Sequence, residues 1–425
     1  MKFVLASYGS RGDVEPCVAI GRELLRRGHD VRVAVAPDLV GFAEAAGLTA
    51  VPYGSDTQAW LSAHRDFWTR LFRKSWKVRG LIDSWRDLWG PVSRSWSELS
   101  ATLTPLAHDA DLLFTGVVFE GVAANIAEYY DIPLATLHYH PTRKNRQSTP
   151  LVPARLARAM MTANDWVIWR LSKKADDAQR RELGLPRSTR PVPRRITERG
   201  SLEIQGYDEA FVPGLAEEWA AFGDRRPFVG TLTMELSTDV DAEVSSWIAA
   251  GSPPIYFGFG SVAVGSAAET VAMISAACAE LGERALICSG TTDFGHVSHP
   301  EHIKVVETMN HAAIFPMCRA VVHHGGAATT ATGLRAGVPS LVLWTWPDQR
   351  LRGRQVSRRL KVGATRRLSD TTQESLVADL RRILEPQCLV RAREVAARMT
   401  KPSESINAAA DAVENFAASR VSADR

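Results

Sequence analysis

The chain opens with an unbroken apolar run, Phe3-Val4-Leu5-Ala6, then turns polar and glycine-containing at Tyr8-Gly9-Ser10-Arg11-Gly12-Asp13 before apolar positions return at helical spacing. A short continuous apolar run predicts a strand buried on both faces, and Val18, Ile20, Leu24 and Leu25 predict an amphipathic helix that ends at Gly28. Val31 to Val35 follows as a second strand. Strand, glycine turn, helix, strand is the repeating unit of a parallel α/β sheet, whose ligands gather at the carboxyl ends of the strands. Asp111 to Thr115 and Pro133 to Leu137 predict further strands with a helix over Val122 to Tyr130 between them. The pattern restarts at Pro253 to Ser261, with a helix over Ala268 to Leu281 and strands at Arg284 to Cys288, Lys304 to Val306 and Ala320 to Val322.

Two stretches carry most of the chemistry. Val322 is followed by His323-His324-Gly325-Gly326-Ala327-Ala328-Thr329-Thr330, a strand-to-helix turn in which small residues let backbone amides approach an anion at a helix N-terminus. A diphosphate suits that turn, a plain structural turn explains the glycines equally, and Asp348 with Gln349 offers a carboxylate and an amide for sugar hydroxyls. The second stretch is Gly9 to Pro16.

Together with Phe257-Gly258-Phe259-Gly260-Ser261, these motifs resemble family 1 glycosyltransferases over almost the whole chain. Within that family the chain is most similar to the bacterial branch that includes glycopeptide-antibiotic, sterol and mycobacterial glycolipid enzymes, with the mycobacterial group nearest in character. The resemblance implies an α/β chain of two facing Rossmann-like, doubly wound parallel-sheet domains (GT-B). These would be an acceptor-binding domain over residues 1–235, a nucleotide-sugar domain over 236–402 and a last helix over 403–425 returning to the first domain and closing the cleft.

By that resemblance Asp13 stands where relatives carry a histidine base, and it would deprotonate the acceptor; the competing reading is a carboxylate that caps the first helix. Donor contacts would come from Ser10, Arg11, Gly12, Ser261, His323, His324, Gly325, Gly326, Ala327, Ala328, Thr329, Asp348 and Gln349. His323 is expected on the diphosphate and His324 in support of the loop. The donor would be UDP- or dTDP-linked, with no cofactor and no metal, and transfer would invert the sugar. Three departures from the family pattern stand out: Ala328 replaces a glycine, Thr291 replaces a tryptophan, and Arg350, Arg352 and Arg354 replace small and aromatic residues.

Composition adjusts this picture. The 425 residues, 45% hydrophobic, suffice for two cored domains, and five cysteines without metal-like spacing read as reduced thiols. With neither a signal peptide nor a long apolar run, a cytoplasmic enzyme is expected, working at the inner membrane face if its acceptor is a lipid. Residues 55 to 106 hold Trp60, Trp68, Trp76, Trp85, Trp89 and Trp96 at helical spacing, which predicts either aromatic helices around an apolar acceptor or ordinary core. Trp68, Trp76 and Trp85, with His138 and His140 after a strand end, are the candidate acceptor contacts; buried structural histidine is the competing reading for the latter two. Residues 143 to 199 contain fifteen Lys or Arg against five Asp or Glu, a balance of +10 in a chain of net charge +4, suited to an anionic membrane surface or to a solvated loop. No nucleic-acid motif accompanies it. The expected function is hexosyl transfer to a lipophilic hydroxyl in cell-envelope glycolipid synthesis. The alternatives are a catalytically poor nucleotide-sugar scaffold, or an epimerase, which would need no aromatic helices.

Overall fold

The structure, a computed structural model, describes residues 1–57, 94–147, 152–260, 262, 264–290, 292 and 294–423. The chain divides into two compact units, Met1–Leu232 with Pro402–Arg425, and Thr233–Lys401.

The first unit is built on strands β1 (Lys2–Ser7), β2 (Asp30–Val35), β3 (Thr49–Pro52), β4 (Leu112–Gly116), β5 (Leu134–His138) and β6 (Leu202–Gln205). They form a wholly parallel sheet in the order β3-β2-β1-β4-β5-β6. Helices α1 (Arg11–Arg26), α2 (Glu120–Tyr129), α3 (Ala154–Glu182) and α4 (Val192–Glu198) belong to this unit. Every residue of β4 and β5 is buried, the reason these strands are mostly apolar, with Thr115, Thr136 and His138 as buried polar exceptions.

The second unit repeats the plan with β7 (Ile255–Gly258), α5 (Ala267–Leu281), β8 (Ala285–Cys288), β9 (Ile303–Val306), β10 (Ala320–His323), α6 (Ala327–Arg335), β11 (Ser340–Trp344), α7 (Pro347–Arg354), β12 (Gly363–Arg367) and α8 (Gln373–Ile383). Its order is β12-β11-β10-β7-β8-β9, again all parallel. Ile255 and Phe257 face one buried cluster with Val271 and Leu380, while Tyr256 faces another with Phe315 and Val321, so this sheet is covered on both faces. The fold class expected from the sequence is therefore the observed one: two doubly wound α/β units.

The last helix, α9 (Pro402–Ala423), packs with the first unit, where Arg27 Nη1 donates to Asp411 at 2.6 Å and pairs with Glu414. Residues 94–106 are helical, and the stripe Trp96, Leu99, Leu103 lies in the first unit's core. Trp96 is nearly inaccessible and donates its indole N–H to Gln179 at 2.8 Å, so this member of the tryptophan series is core. Trp60, Trp68, Trp76, Trp85 and Trp89 lie outside the described residues.

The basic excess of residues 143–199 is also reduced by the fold. Arg143 pairs with Glu120 and Glu203, Arg158 with Glu218, Arg180 with Glu128 and Arg199 with Asp131, carboxylates that all lie outside the basic segment. Sequence counting missed this because the neutralising groups are distant in the chain.

Candidate functional site

In a sheet of this order the first and fourth strands lie side by side and the connections depart in opposite senses, which opens a crevice at their carboxyl ends. In the second unit those strands are β7 and β10, and His323 sits in register with Gly258. The two glycine turns, far apart in sequence, are thereby adjacent. A third turn, at Ser289-Gly290 after β8, joins them. A Cβ on Gly290 (φ +59°) would lie 2.5 Å from the Gly260 carbonyl oxygen, so the two backbones touch in a way that only glycine permits. The sequence reading overlooked Gly290, although Ser-Gly after an apolar strand was the available signal.

The two histidines differ in their surroundings. His323 is fully buried, and the Gly325 amide donates to its Nδ1 at 3.1 Å, so the ring supports the loop. With Nδ1 accepting, the proton belongs on Nε2, a buried donor without a hydrogen-bond partner among the described residues. Burial, with His324, Arg352 and His311 nearby, pushes its pKa down to about 3. His324 is the ring clasped by the glycine turns: a Cβ on Gly260 would meet its Cε1 at 2.6 Å, and one on Gly326 its Nε2 at 2.6 Å. Burial and then Arg352 push it down to about 4, and its Nδ1 also lacks a hydrogen-bond partner among the described residues. Both rings are neutral at physiological pH and can offer an anion hydrogen bonds without net charge.

Ser289 Oγ and Thr292 Oγ1 after β8, and Thr345 Oγ1 after β11, are likewise buried without hydrogen-bond partners. Buried polar groups are almost always satisfied, so those without partners at the carboxyl ends of β8, β10 and β11 are groups that a polar ligand would engage. Gly326 caps α6, and Ala327, Ala328 and Thr329 form its first turn. Ala328 is helical there, so its methyl costs the backbone nothing. Ser261 and Thr291 lie outside the described residues.

Asp348 and Gln349 open α7, but the Gln349 side chain is not presented as a free amide. Its Oε1 accepts from the Thr345 and Trp346 amides at 2.8 and 3.1 Å, and it is buried. Asp348 accepts from Arg352 Nη2, and Arg352 Nε donates to the Gly325 carbonyl at 2.5 Å. The arginine cluster therefore divides: Arg352 ties the Asp348 carboxylate to the glycine turn, while Arg350 lies 5.2 Å over the Trp344 ring.

In the first unit the corresponding switch point lies between β1 and β4. Asp13 stands in the first turn of α1, its Oδ2 accepting from the Ser10 amide at 2.8 Å and the Ser10 hydroxyl at 2.9 Å. It is thus a helix cap whatever else it does. Gly9 (φ +133°) is forced, since a Cβ there would lie 2.5 Å from Asp13 Oδ2. Ser7 Oγ and Tyr139 Oη both donate to the Asp13 carbonyl, at 2.9 and 2.6 Å. Burial, then the Asp13 charge, holds the Tyr139 phenol well above its ordinary pKa, so it stays a donor. Ser7 and Tyr139 were not anticipated, though Tyr139 lies between the two histidines that were.

His138 is fully buried: Thr136 and Thr142 hydroxyls engage Nε2 and Nδ1 at 2.9 and 2.7 Å, and burial lowers its pKa far below the usual value. His140 is partly buried. Gly12 is exposed in the first turn of α1, and Arg11 pairs with Glu15 at 3.3 Å and lies 4.8 Å over Phe42.

Comparison with known proteins agrees with this architecture. Residues 3–96 match the glycosyltransferase family 28 N-terminal domain, and residues 270–416 the C-terminal domain of erythromycin biosynthesis protein CIII-like proteins. An uncharacterized glycosyltransferase of Mycobacterium tuberculosis is 57% identical over 420 residues, covering 98% of this chain and 99% of that one. A sterol 3-beta-glucosyltransferase of Arabidopsis thaliana is 28% identical over 442 residues, covering 97% and 67%. The crystal structure of a spinosyn rhamnosyltransferase complexed with thymidine diphosphate shares the fold, with a TM-score of 0.63 at 17% identity over 96% and 99% of the two chains. With its two doubly wound units, its glycine turns and a relative this similar over its full length, the chain belongs to the family 1 glycosyltransferases of GT-B fold.

Proposed function

We propose that this enzyme moves a hexosyl group from a UDP- or dTDP-sugar to a hydroxyl of a lipophilic acceptor, by direct displacement with inversion. The observation that carries the donor half is the meeting of three glycine turns and unsatisfied imidazole nitrogens at the carboxyl ends of β7, β8 and β10. As the bond from the anomeric carbon to the diphosphate breaks, the leaving group gathers charge. The first-turn amides of α6, His323 and His324 are suited to receive it without a resident metal or cofactor. Asp348, oriented by Arg352, would accept from sugar hydroxyls. Asp13 would take the acceptor proton as the new bond forms, its carboxylate fixed by Ser10, with Arg11 contributing a permanent cation.

A lipophilic acceptor is supported by the sterol glucosyltransferase relative and by the tryptophan-rich segment, and the thymidine diphosphate bound by the rhamnosyltransferase supports a dTDP- or UDP-linked donor. The setting that suits such a reaction is the cytoplasmic face of the cell membrane, in envelope glycolipid synthesis. No described helix is long and apolar enough to cross a membrane. A second reading, a nucleotide-sugar binder with little turnover, is favoured by one observation: Asp13 Oδ2 is already committed to the helix cap.

The deciding experiment measures nucleoside diphosphate release from a panel of UDP- and dTDP-sugars, with and without membrane lipid extract. Release that requires both lipid and Asp13 supports transfer. Tight donor binding without release under any condition supports the binder.

A further inference from the structure

Five of the ten exposed large hydrophobic residues among those described lie on α3: Leu156, Met160, Trp166, Val167 and Ile168. Leu156, Met160 and Val167, exposed at 53%, 51% and 54%, recur at i, i+4 and i+11, which aligns them on one stripe of the helix. The opposite face holds the buried residues Ala157, Trp169, Ser172 and Ala175 that pack the helix into its unit. Trp166, exposed at 40%, borders the stripe and stands edge-on to Trp169 at 5.0 Å. An apolar stripe left in water on a well-packed helix is a surface that awaits a partner.

Charge identifies the partner. From Ala154 to Ala175 the only acid is Asp165, against five cations. Arg158 is neutralised by Glu218 and Lys173 by Asp177, but Arg155, Arg170 and Lys174 form no ion pair with a described residue. Helical spacing puts these three on the same half of the helix as the apolar stripe. A second copy docked by two-fold symmetry would bring these cations against themselves. An anionic bilayer instead receives the apolar side chains among its acyl chains and the cations at its headgroups, with a tryptophan at the boundary.

We propose that the exposed face of α3, carrying Leu156, Met160, Trp166 and Val167 with Arg155 and Lys174, is the surface by which this enzyme docks on an anionic lipid bilayer. The inference rests on the lipophilic-acceptor reading above and adds the place of contact. The helix lies in the plane of the interface and collects acceptor there, without spanning it.

The test is co-sedimentation of the full chain with phosphatidylcholine vesicles, with and without phosphatidylglycerol, for the wild type, Leu156→Glu/Val167→Glu and Arg155→Gln/Lys174→Gln. Because the substituted side chains are exposed, unchanged thermal melting is expected to show that both variants fold. Wild type should bind only the anionic vesicles, and less as salt rises. The apolar double variant should lose roughly tenfold or more of that binding, and the charge variant roughly fivefold per cation removed. Failure of the wild type to sediment with anionic vesicles, or equal sedimentation of all three proteins, overturns the proposal. So does a wild-type dimer that the apolar variant converts to monomer without any lipid binding, because the occupant is then a second copy. Calorimetric binding of UDP and dTDP is measured on the same samples. Its loss would strike the transferase reading, whereas loss of lipid binding alone strikes only this one.

Discussion

Arg352 Nε donates to the Gly325 carbonyl at 2.5 Å, so a helix one strand away holds the glycine turn by its backbone. The same guanidinium takes the carboxylate of Asp348. A planar fork that serves a carbonyl and a carboxylate together cannot be replaced by a lysine. Arg352→Lys is expected to leave the melting temperature nearly unchanged and to weaken UDP or dTDP binding about tenfold, equivalent to about 1.4 kcal/mol. Titration calorimetry checks this, and an unaltered dissociation constant would contradict the role given to Arg352.

Gly28 and Gly325 have nearly the same φ, +87° and +90°, but different surroundings. A Cβ on Gly28 meets nothing within 4 Å, whereas one on Gly325 would lie 2.8 Å from Val342 Cγ1 and 3.2 Å from Gln349 Cβ. Gly28→Ala should therefore cost only backbone strain, about 1 kcal/mol, and Gly325→Ala about 2 to 4 kcal/mol in urea unfolding. Equal costs would mean that packing at the turn is looser than described.

Asp13→Asn keeps a side-chain oxygen for Ser10 and removes the charge. If Asp13 is the base, donor binding and stability should stay within about 0.5 kcal/mol of wild type while turnover falls roughly 10² to 10⁴-fold. Asp13→Ala should lose turnover equally and about 1 kcal/mol of stability as well, because the cap is then gone. Turnover retained by Asp13→Asn would remove Asp13 from the mechanism.

Acid should destabilise the second unit through its two buried histidines. Their folded pKa values, about 3 and about 4, lie below the ordinary value of 6.5, so between those limits the unfolded chain binds more protons. Stability is complete above about pH 6.5 and falls with pH below it, by up to about 1.4 kcal/mol per pH unit for each histidine. His323→Gln should flatten that slope between pH 6 and 4. Denaturant melts at a series of pH values read it directly.

Burial of both sheet faces explains why the alternating architecture was legible. Phe3 to Ala6 and Val321-Val322 have no polar face to confuse their pattern, and the turns after them are marked by glycine. β3, β6 and β12, each at a sheet edge with polar residues among the apolar ones, escaped sequence reading, and so did the interior β11, whose Leu341-Val342-Leu343 run was not read as a strand. The basic segment read as surface because the acids that neutralise it, Glu120, Glu128, Glu203 and Glu218, are supplied by other elements.

The sequence by itself determined the two α/β units and their glycine turns, since local apolar runs and backbone requirements are written in neighbouring positions. Only the tertiary structure decided what each side chain is committed to. It gave His323 to its own loop and His324 to the glycine turns, closed both nitrogens of His138 with threonines, and turned Gln349 and Arg352 into supports of the site. Those assignments depend on which strands lie side by side, and hydrogen-bond partners brought together by sheet order leave no periodicity in the chain.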